Sequence, residues 1–102
     1  MSRGDLKIPH DKIADLCRKH HIRRLALFGS ALRPDFGPRS DVDLLGEFEP
    51  EHIPDFLRMY GIEQELSALL GGRRVDLVTE KSLNRKIRDQ VLAAADVQYA
   101  AR

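Results

Sequence analysis

The residues with the clearest capacity for chemistry lie in one short stretch, residues 28–43. Gly29 and Ser30 follow an apolar run, and after ten intervening residues Asp41 and Asp43 open a second apolar run. In a strand, these two carboxylates would project from one face about 7 Å apart. At that distance, two ionised carboxylates repel by about 2 kcal/mol at an effective dielectric constant of about 20. A bound cation would offset this repulsion, and Mg²⁺ commonly binds through one or two carboxylates plus substrate phosphates.

The Gly29-Ser30 pair predicts a turn that could hold a phosphate group. Glycine lets backbone N–H groups approach a phosphate closely, and the serine hydroxyl adds a further donor. A phosphate-binding turn beside metal-binding carboxylates indicates phosphoryl or nucleotidyl transfer.

A third carboxylate, Asp76, lies inside the apolar stretch Val75–Val78. A lone aspartate buried in such a strand would carry a large desolvation penalty. Placing it beside Asp41 and Asp43 removes the problem, since a shared Mg²⁺ would hold all three in the ionised form. This hypothesis requires the third strand to neighbour the second, with Asp76 at the same edge. The alternative is an aspartate at a strand edge that faces water.

The apolar periodicity and the turn residues predict the order α-β-β-α-β-α, followed by a short terminal strand. The two strands that flank the 31–40 loop can pair antiparallel, so we expect an α/β (α+β) fold with a small mixed sheet and helices packed on it. Residues 1–8 are expected to be a loose lead-in. The predicted elements are a helix over about 9–20, strands at Arg23–Phe28 and about 42–48, a helix from Asp55 to the Gly71-Gly72 stop, a strand at Arg74–Thr79, a helix capped by Ser82, and a strand at Val97–Ala100.

Composition bounds the class of protein. A chain of 102 residues, 42% apolar and 32% charged, predicts one domain, residues 1–102. The single cysteine, Cys17, excludes an internal disulfide framework and falls on helix-patterned apolar positions that indicate burial. No apolar run approaches the ~20 residues of a membrane span, and the N-terminus lacks the apolar core of a signal peptide. We therefore expect a cytoplasmic protein with no membrane partner.

Two polar groups have simpler interpretations. The basic run Arg18–Arg24 could bind nucleic acid, but a solvated helix end is the favoured interpretation, and the net charge of +1 is low for a nucleic-acid binder. The histidines show no metal-ligand spacing with a cysteine or carboxylate and are expected at the surface. They are His10, His20, His21 and His52.

Taken together, Gly29-Ser30, the ten-residue spacer, Asp41-x-Asp43 and the later Val-Asp-Leu-Val strand resemble the nucleotidyltransferase superfamily related to DNA polymerase beta. More narrowly, the chain resembles the minimal nucleotidyltransferases, the MNT antitoxins encoded beside HEPN-domain toxins. The resemblance covers nearly the whole chain. It implies the nucleotidyltransferase fold and a hetero-oligomer with a HEPN toxin.

The resemblance also implies a mechanism, AMP transfer from ATP to a hydroxyl group. Asp41 and Asp43 would bind two Mg²⁺ ions, and Asp76 would complete one metal site and accept the proton of the attacking hydroxyl. Gly29 and Ser30 would hold the β- and γ-phosphates. Arg33, at the basic position of the family's Gly-Ser-x-x-Arg pattern, would neutralise phosphate charge or form a salt bridge that fixes the loop.

Two positions depart from the family pattern: Pro34 replaces a glycine, and Gly46 stands where relatives often have valine. Neither is a metal ligand. By resemblance, the acceptor is a tyrosine of the cognate HEPN toxin. Two alternatives remain: an antitoxin that neutralises the toxin by direct binding without catalysis, and nucleotidyl transfer to a small molecule such as an aminoglycoside.

Overall fold

A computed structural model describes residues 2–3, 6–29, 37 and 40–101. Its strands are β1 (Ser2–Arg3), β2 (Leu6–Lys7), β3 (Ile22–Phe28), β4 (Val42–Phe48), β5 (Val75–Val78) and β6 (Asp96–Ala100). Its helices are α1 (His10–Lys19), α2 (Phe56–Leu69) and α3 (Arg85–Ala94), with one-turn 3₁₀ helices at Pro50–His52 and Glu80–Ser82. The predicted order from the first helix to the terminal strand is confirmed.

Four strands form a mixed sheet in the order β5-β4-β3-β6. β3 pairs antiparallel with β4 and with β6, whereas β4 pairs parallel with β5. The antiparallel pairing of the strands that flank the 31–40 loop is therefore confirmed. Because a parallel connection needs a crossover, the 14-residue helix α2 lies between β4 and β5 in the chain.

The core fills one face of this sheet. Alternate residues of β3, β4 and β5 meet the apolar stripes of α1 and α2, since successive strand residues point to opposite faces. The core cluster comprises Ile13, Leu16, Cys17, Ile22, Leu25, Leu27, Val42, Leu44, Phe48, Ile62, Leu66, Leu70, Val75 and Leu77. Asp43 and Asp76 occupy the alternate positions of their strands and so lie on the opposite face.

Cys17 is completely buried, as its helical spacing predicts. Burial raises the pKa of this thiol to about 12, so the thiolate is absent at neutral pH and the side chain packs as a small apolar group. Among the described residues, none of the helices has the length and apolar character needed to cross a membrane.

The structure differs from the sequence predictions in three places. The cap of α3 is Asn84, whose side chain accepts from the Lys86 N–H (2.9 Å), while Ser82 instead closes a capping box with Thr79. Ser82 and Asn84 are both good cap residues, and Ser82 is already part of the 3₁₀ helix Glu80–Ser82, so the prediction of Ser82 as the α3 cap is wrong. The helical spacing of Phe56, Met59, Ile62, Leu66 and Leu69 predicts that Phe56 packs on the sheet with the others, but its side chain is 93% exposed. Within the expected loose lead-in, β1 and β2 pair antiparallel.

Candidate active site

Asp43 and Asp76 are direct register partners on the neighbouring parallel strands β4 and β5. Neighbouring strands lie about 4.8 Å apart, and partners in register project from the same face, so these two carboxylates stand side by side. The predicted adjacency of the second and third strands is observed. Asp43 is half-buried and Asp76 is exposed, which places the pair at an accessible face of the sheet.

Asp41 lies just before β4, two residues from Asp43, and is exposed. The Val42 N–H donates to the Arg74 carbonyl (2.8 Å), so the pairing with the β5 side extends back to the residue next to Asp41. With the alternation of an extended chain, Asp41 falls on the same side as Asp43. The three acidic residues predicted from the sequence therefore lie together where β4 and β5 begin. We call Asp41, Asp43 and Asp76 the acidic edge.

Gly29 lies next to Asp43, at the end of the neighbouring strand β3. It follows Phe28, the antiparallel register partner of Asp43, and has a φ of +62°. A Cβ at Gly29 would lie 2.5 Å from Asp43 Oδ2, so the position has room only for glycine while the carboxylate stays in place. This close approach of backbone to carboxylate is what a glycine turn beside a ligand-binding site requires. Ser30 and Arg33 lie outside the described residues.

The outer edge of β5 is held by two side chains of α2 that sequence reasoning did not single out. Glu63 Oε2 accepts from the buried Leu77 N–H (2.7 Å), and Ser67 Oγ donates to the Arg73 carbonyl (2.5 Å). The two residues are four apart and therefore lie on one helix face. In the sequence, Glu63 and Ser67 each directly follow a buried residue of α2, Ile62 and Leu66, and this spacing could have indicated that both lie close to the sheet. Glu63 satisfies a backbone group that the edge strand leaves unpaired, and Ser67 holds the chain two residues before β5, so both help to fix the strand that carries Asp76.

A groove of about 640 Å³ opens beside the acidic edge. Asp76, Glu63 and Thr79 contribute polar groups to it. Its apolar wall comes from the 53–60 segment, where Ile53 is 58%, Phe56 93%, Leu57 83% and Tyr60 60% exposed. We call these four residues the apolar wall. The groove can therefore receive a partly apolar group next to a carboxylate.

Three residues of the basic run Arg18–Arg24 form ion pairs. Arg18 pairs with Asp15 (2.6 Å), Lys19 with Glu65, and Arg24 with Glu47 (3.8 Å). The hydrogen bond from Lys19, followed by that from His20, lowers the pKa of Glu65. These contacts favour the interpretation of a solvated, paired helix end over a nucleic-acid surface.

The expectation of surface histidines holds for His52, which is exposed, but not for His20, and all four rings make specific contacts. His10 bonds to Gln98 Oε1 (3.0 Å), and the His20 side chain is only 12% exposed and bonds to Glu65 (2.8 Å). His21 is half-buried, and its ring stacks on that of His52. Sequence spacing missed these contacts because each joins residues far apart in the chain.

Residues 11–101 match the family model described as polymerase beta, nucleotidyltransferase. Protein adenylyltransferase MntA of Thermococcus cleftensis is 41% identical over 78 residues, which are 76% of this chain and 76% of that protein. A solved toxin-antitoxin structure with AMP-PNP superposes with a TM-score of 0.73 at 23% identity, covering 93% of this chain and 76% of the other. A tri-AMPylated Shewanella oneidensis HEPN toxin in complex with an MNT antitoxin gives a TM-score of 0.63 at 22% identity, with 90% and 70% covered.

The fold is the nucleotidyltransferase fold. The chain belongs to the polymerase beta nucleotidyltransferase family. Within that family, its enzyme class is protein adenylyltransferase, the class of the Thermococcus cleftensis relative.

Proposed function

We propose that this protein transfers AMP from ATP to a tyrosine hydroxyl of a HEPN toxin and thereby acts as its antitoxin. The observation that carries the proposal is the register pairing of Asp43 with Asp76 beside Gly29. Two structurally similar complexes suggest the donor and the acceptor of the AMP group. AMP-PNP is an ATP analogue, and the Shewanella oneidensis toxin carries AMP groups.

The acidic edge fits two Mg²⁺ ions held by Asp41, Asp43 and Asp76. All three residues offer carboxylate oxygens, the ligand type that Mg²⁺ prefers. When bound, such ions neutralise triphosphate charge and stabilise the attacking and leaving oxygens of an in-line displacement.

The chain's own residues supply positioning and proton transfer. We assign to Gly29 and Ser30 the β- and γ-phosphates, and to Arg33 a share of their charge. The acceptor hydroxyl oxygen bonds to the α-phosphorus of ATP as the bond to the departing pyrophosphate breaks. Asp76, which lines the groove, accepts the hydroxyl proton. Such chemistry depends mainly on positioning and charge neutralisation, which a small scaffold can provide.

The test is transfer of label from α-³²P-ATP, with Mg²⁺, to the HEPN toxin encoded by the neighbouring gene. We expect labelled toxin at substoichiometric amounts of this protein, with AMP on tyrosine by mass spectrometry. Asp43→Asn and Asp76→Asn should each lower the rate by at least about 100-fold, because loss of one charge-stabilising group commonly has that effect. Asp89→Asn, an exposed aspartate of α3, is the charge-matched control and should transfer normally. Undiminished transfer by both site variants would contradict the proposal.

A second candidate function, neutralisation by binding alone, is favoured by one observation, the exposure of the apolar wall. A covering protein would silence the toxin only at equimolar amounts and without ATP. An enzyme needs ATP, and one molecule serves many toxin molecules. Titrating toxin activity against this protein with and without ATP therefore separates the two functions.

A further inference from the structure

His21, Glu49 and His52 meet at the end of the sheet opposite the acidic edge. The His21 and His52 rings stack with centroids 3.6 Å apart and planes 9° from parallel, and His21 Nδ1 lies 3.5 Å from Glu49 Oε2. One potential ligand atom from each residue lies within 4.8 Å of the other two. Two imidazoles and a carboxylate therefore converge from segments nearly thirty positions apart in the chain.

The backbone around this cluster is tied together. The Glu49 N–H donates to the His21 carbonyl (2.9 Å), and the His52 N–H donates to the Glu49 carbonyl (2.8 Å). These bonds fix the turn before β3 against the turn after β4. The backbone positions of all three residues are thus set by bonds that do not use their side chains.

His21 has a φ of +59° and is the one non-glycine residue with a positive φ in the part of the chain that the structure describes. It follows the C-cap of α1, a position where glycine is usual because a Cβ is disfavoured there. A histidine in this place carries a conformational cost that glycine would avoid. Its imidazole faces Glu49 and His52, so the strained position supplies a ligand atom to the cluster.

We propose that His21, Glu49 and His52 bind a divalent transition-metal cation of the Zn²⁺ class. Imidazole nitrogen and carboxylate oxygen suit Zn²⁺, whereas Mg²⁺ prefers oxygen ligands alone. Three protein ligands leave one coordination position open for water or for a group from a bound partner.

The side chains need only a small adjustment to take up a cation. Two ligands of one Zn²⁺, each about 2.1 Å from the ion, lie at most about 4 Å apart. The nitrogen lone pairs of the stacked His21 and His52 rings lie in nearly parallel planes. One ring must therefore rotate before both nitrogens can bind the same ion. His52 is exposed at the end of a one-turn 3₁₀ helix, and its side chain has room to do so.

This site is separate from the acidic edge. His21 precedes the start of β3 and Gly29 follows its end, which puts about 20 Å of strand between the two places. Removal of the His21 cluster should therefore leave the chemistry at Asp43 and Asp76 unchanged.

The experiment is calorimetric titration of the untagged, chelator-treated protein with Zn²⁺ in excess Mg²⁺. We expect one Zn²⁺ per chain, and weakening of at least about tenfold in each of His21→Asn, Glu49→Gln and His52→Ala, since even outer-shell changes have effects of that size. Asparagine tolerates a positive φ, so His21→Asn preserves the turn. Co²⁺ titration should give the intense visible absorption of a low-coordinate ion, lost in the same variants.

His20→Gln is the matched control, because it removes a neighbouring histidine that faces Glu65 instead of the cluster. It should bind Zn²⁺ like the wild type. Absence of saturable Zn²⁺ binding, binding that survives both histidine substitutions in the cluster, or binding that depends on His20 would each overturn the proposal. Loss of binding in Asp43→Asn with the histidine variants unaffected would do so too, since the ion would then lie at the acidic edge.

Discussion

At the scale of single residues, the space at Gly29 is the tightest constraint on the candidate site. A methyl group there would overlap the Asp43 carboxylate, and the backbone φ of +62° disfavours any side chain. Two separate effects follow from one substitution: conformational strain and displacement of a carboxylate. They can be measured apart because the chain contains another glycine with the same strain and open surroundings.

Gly29→Ala should lower AMP transfer by at least about tenfold and destabilise the fold by about 1 kcal/mol or more. Gly71→Ala is the matched control, because Gly71 has a φ of +78° and a Cβ added there would meet nothing within 4 Å. It should show a comparable stability loss by denaturant titration and normal transfer. Equal activity of the two variants would mean that Asp43 does not need its present position.

At the scale of the elements, β5 depends on α2 for its outer edge. The Leu77 N–H is buried and is satisfied by the Glu63 carboxylate, not by another strand. A buried donor without a partner costs about 1–3 kcal/mol. Because Asp76 is the adjacent residue in the chain, the same bond also positions the carboxylate that we assign as proton acceptor.

Glu63→Ala should therefore destabilise the protein by about 1–3 kcal/mol and reduce AMP transfer. Glu63→Gln retains an acceptor oxygen and should recover most of both quantities. Chemical denaturation and the transfer assay, run in parallel on the two variants, check this. If Glu63→Gln loses as much stability and transfer activity as Glu63→Ala, Glu63 acts through its charge and not through the hydrogen bond.

The contact between α1 and α2 should be sensitive to acid. The hydrogen bond from Lys19 is the main cause that lowers the pKa of Glu65 in the folded protein, below the ordinary value of 4.5. A lowered folded pKa contributes stability that is fully present above the ordinary value and is lost as the pH falls through the lowered value. The carboxylate is partly exposed, so the contribution is at most about 1 kcal/mol.

The Tm difference between the wild type and Glu65→Gln should accordingly be constant from neutral pH to about pH 5 and shrink below it. Thermal unfolding across that range measures it. A difference that stays constant down to about pH 3 would contradict the assigned role of the Lys19 contact.

How far the sequence predicts this molecule depends on the range of the interactions. The helices and strands follow from local periodicity, and the pairing of the two strands around the 31–40 loop follows from their proximity in the chain. The predicted adjacency of β5 and β4 is confirmed, but Asp76 is exposed on the edge strand, as the alternative interpretation expected, so the desolvation penalty used to argue for that adjacency does not arise. Asn84 and not Ser82 caps α3 because Ser82 belongs to the 3₁₀ helix before it, and the sequence does not show that this helix forms. The contacts of His21, Glu49 and His52 join distant segments, and no local pattern encodes them. For Glu63, helical spacing indicates only that it shares a face of α2 with Ser67, and its bond to Leu77 depends on how α2 packs beside β5.

At the scale of the whole molecule, the 53–60 segment presents the apolar wall to solvent. Phe56 and Leu57 are the most exposed large apolar side chains in the described residues, and both line the groove that contains Asp76. An apolar surface rimmed by polar groups is typical of a protein contact site. Under the proposed function, the wall would bind the toxin so that its acceptor hydroxyl enters the groove.

Phe56→Ser should leave the free energy of unfolding within about 0.5 kcal/mol of the wild type, because the side chain is almost fully exposed. It should raise the KM for the toxin and leave nucleotide binding unchanged. The control is Ile87→Ser, which removes a 45% exposed apolar side chain of α3 that does not line the groove. If Phe56→Ser and Ile87→Ser have the same KM for the toxin, the acceptor approaches from another side of Asp76. If instead Phe56→Ser abolishes neutralisation of the toxin without ATP, the wall itself silences the toxin by binding.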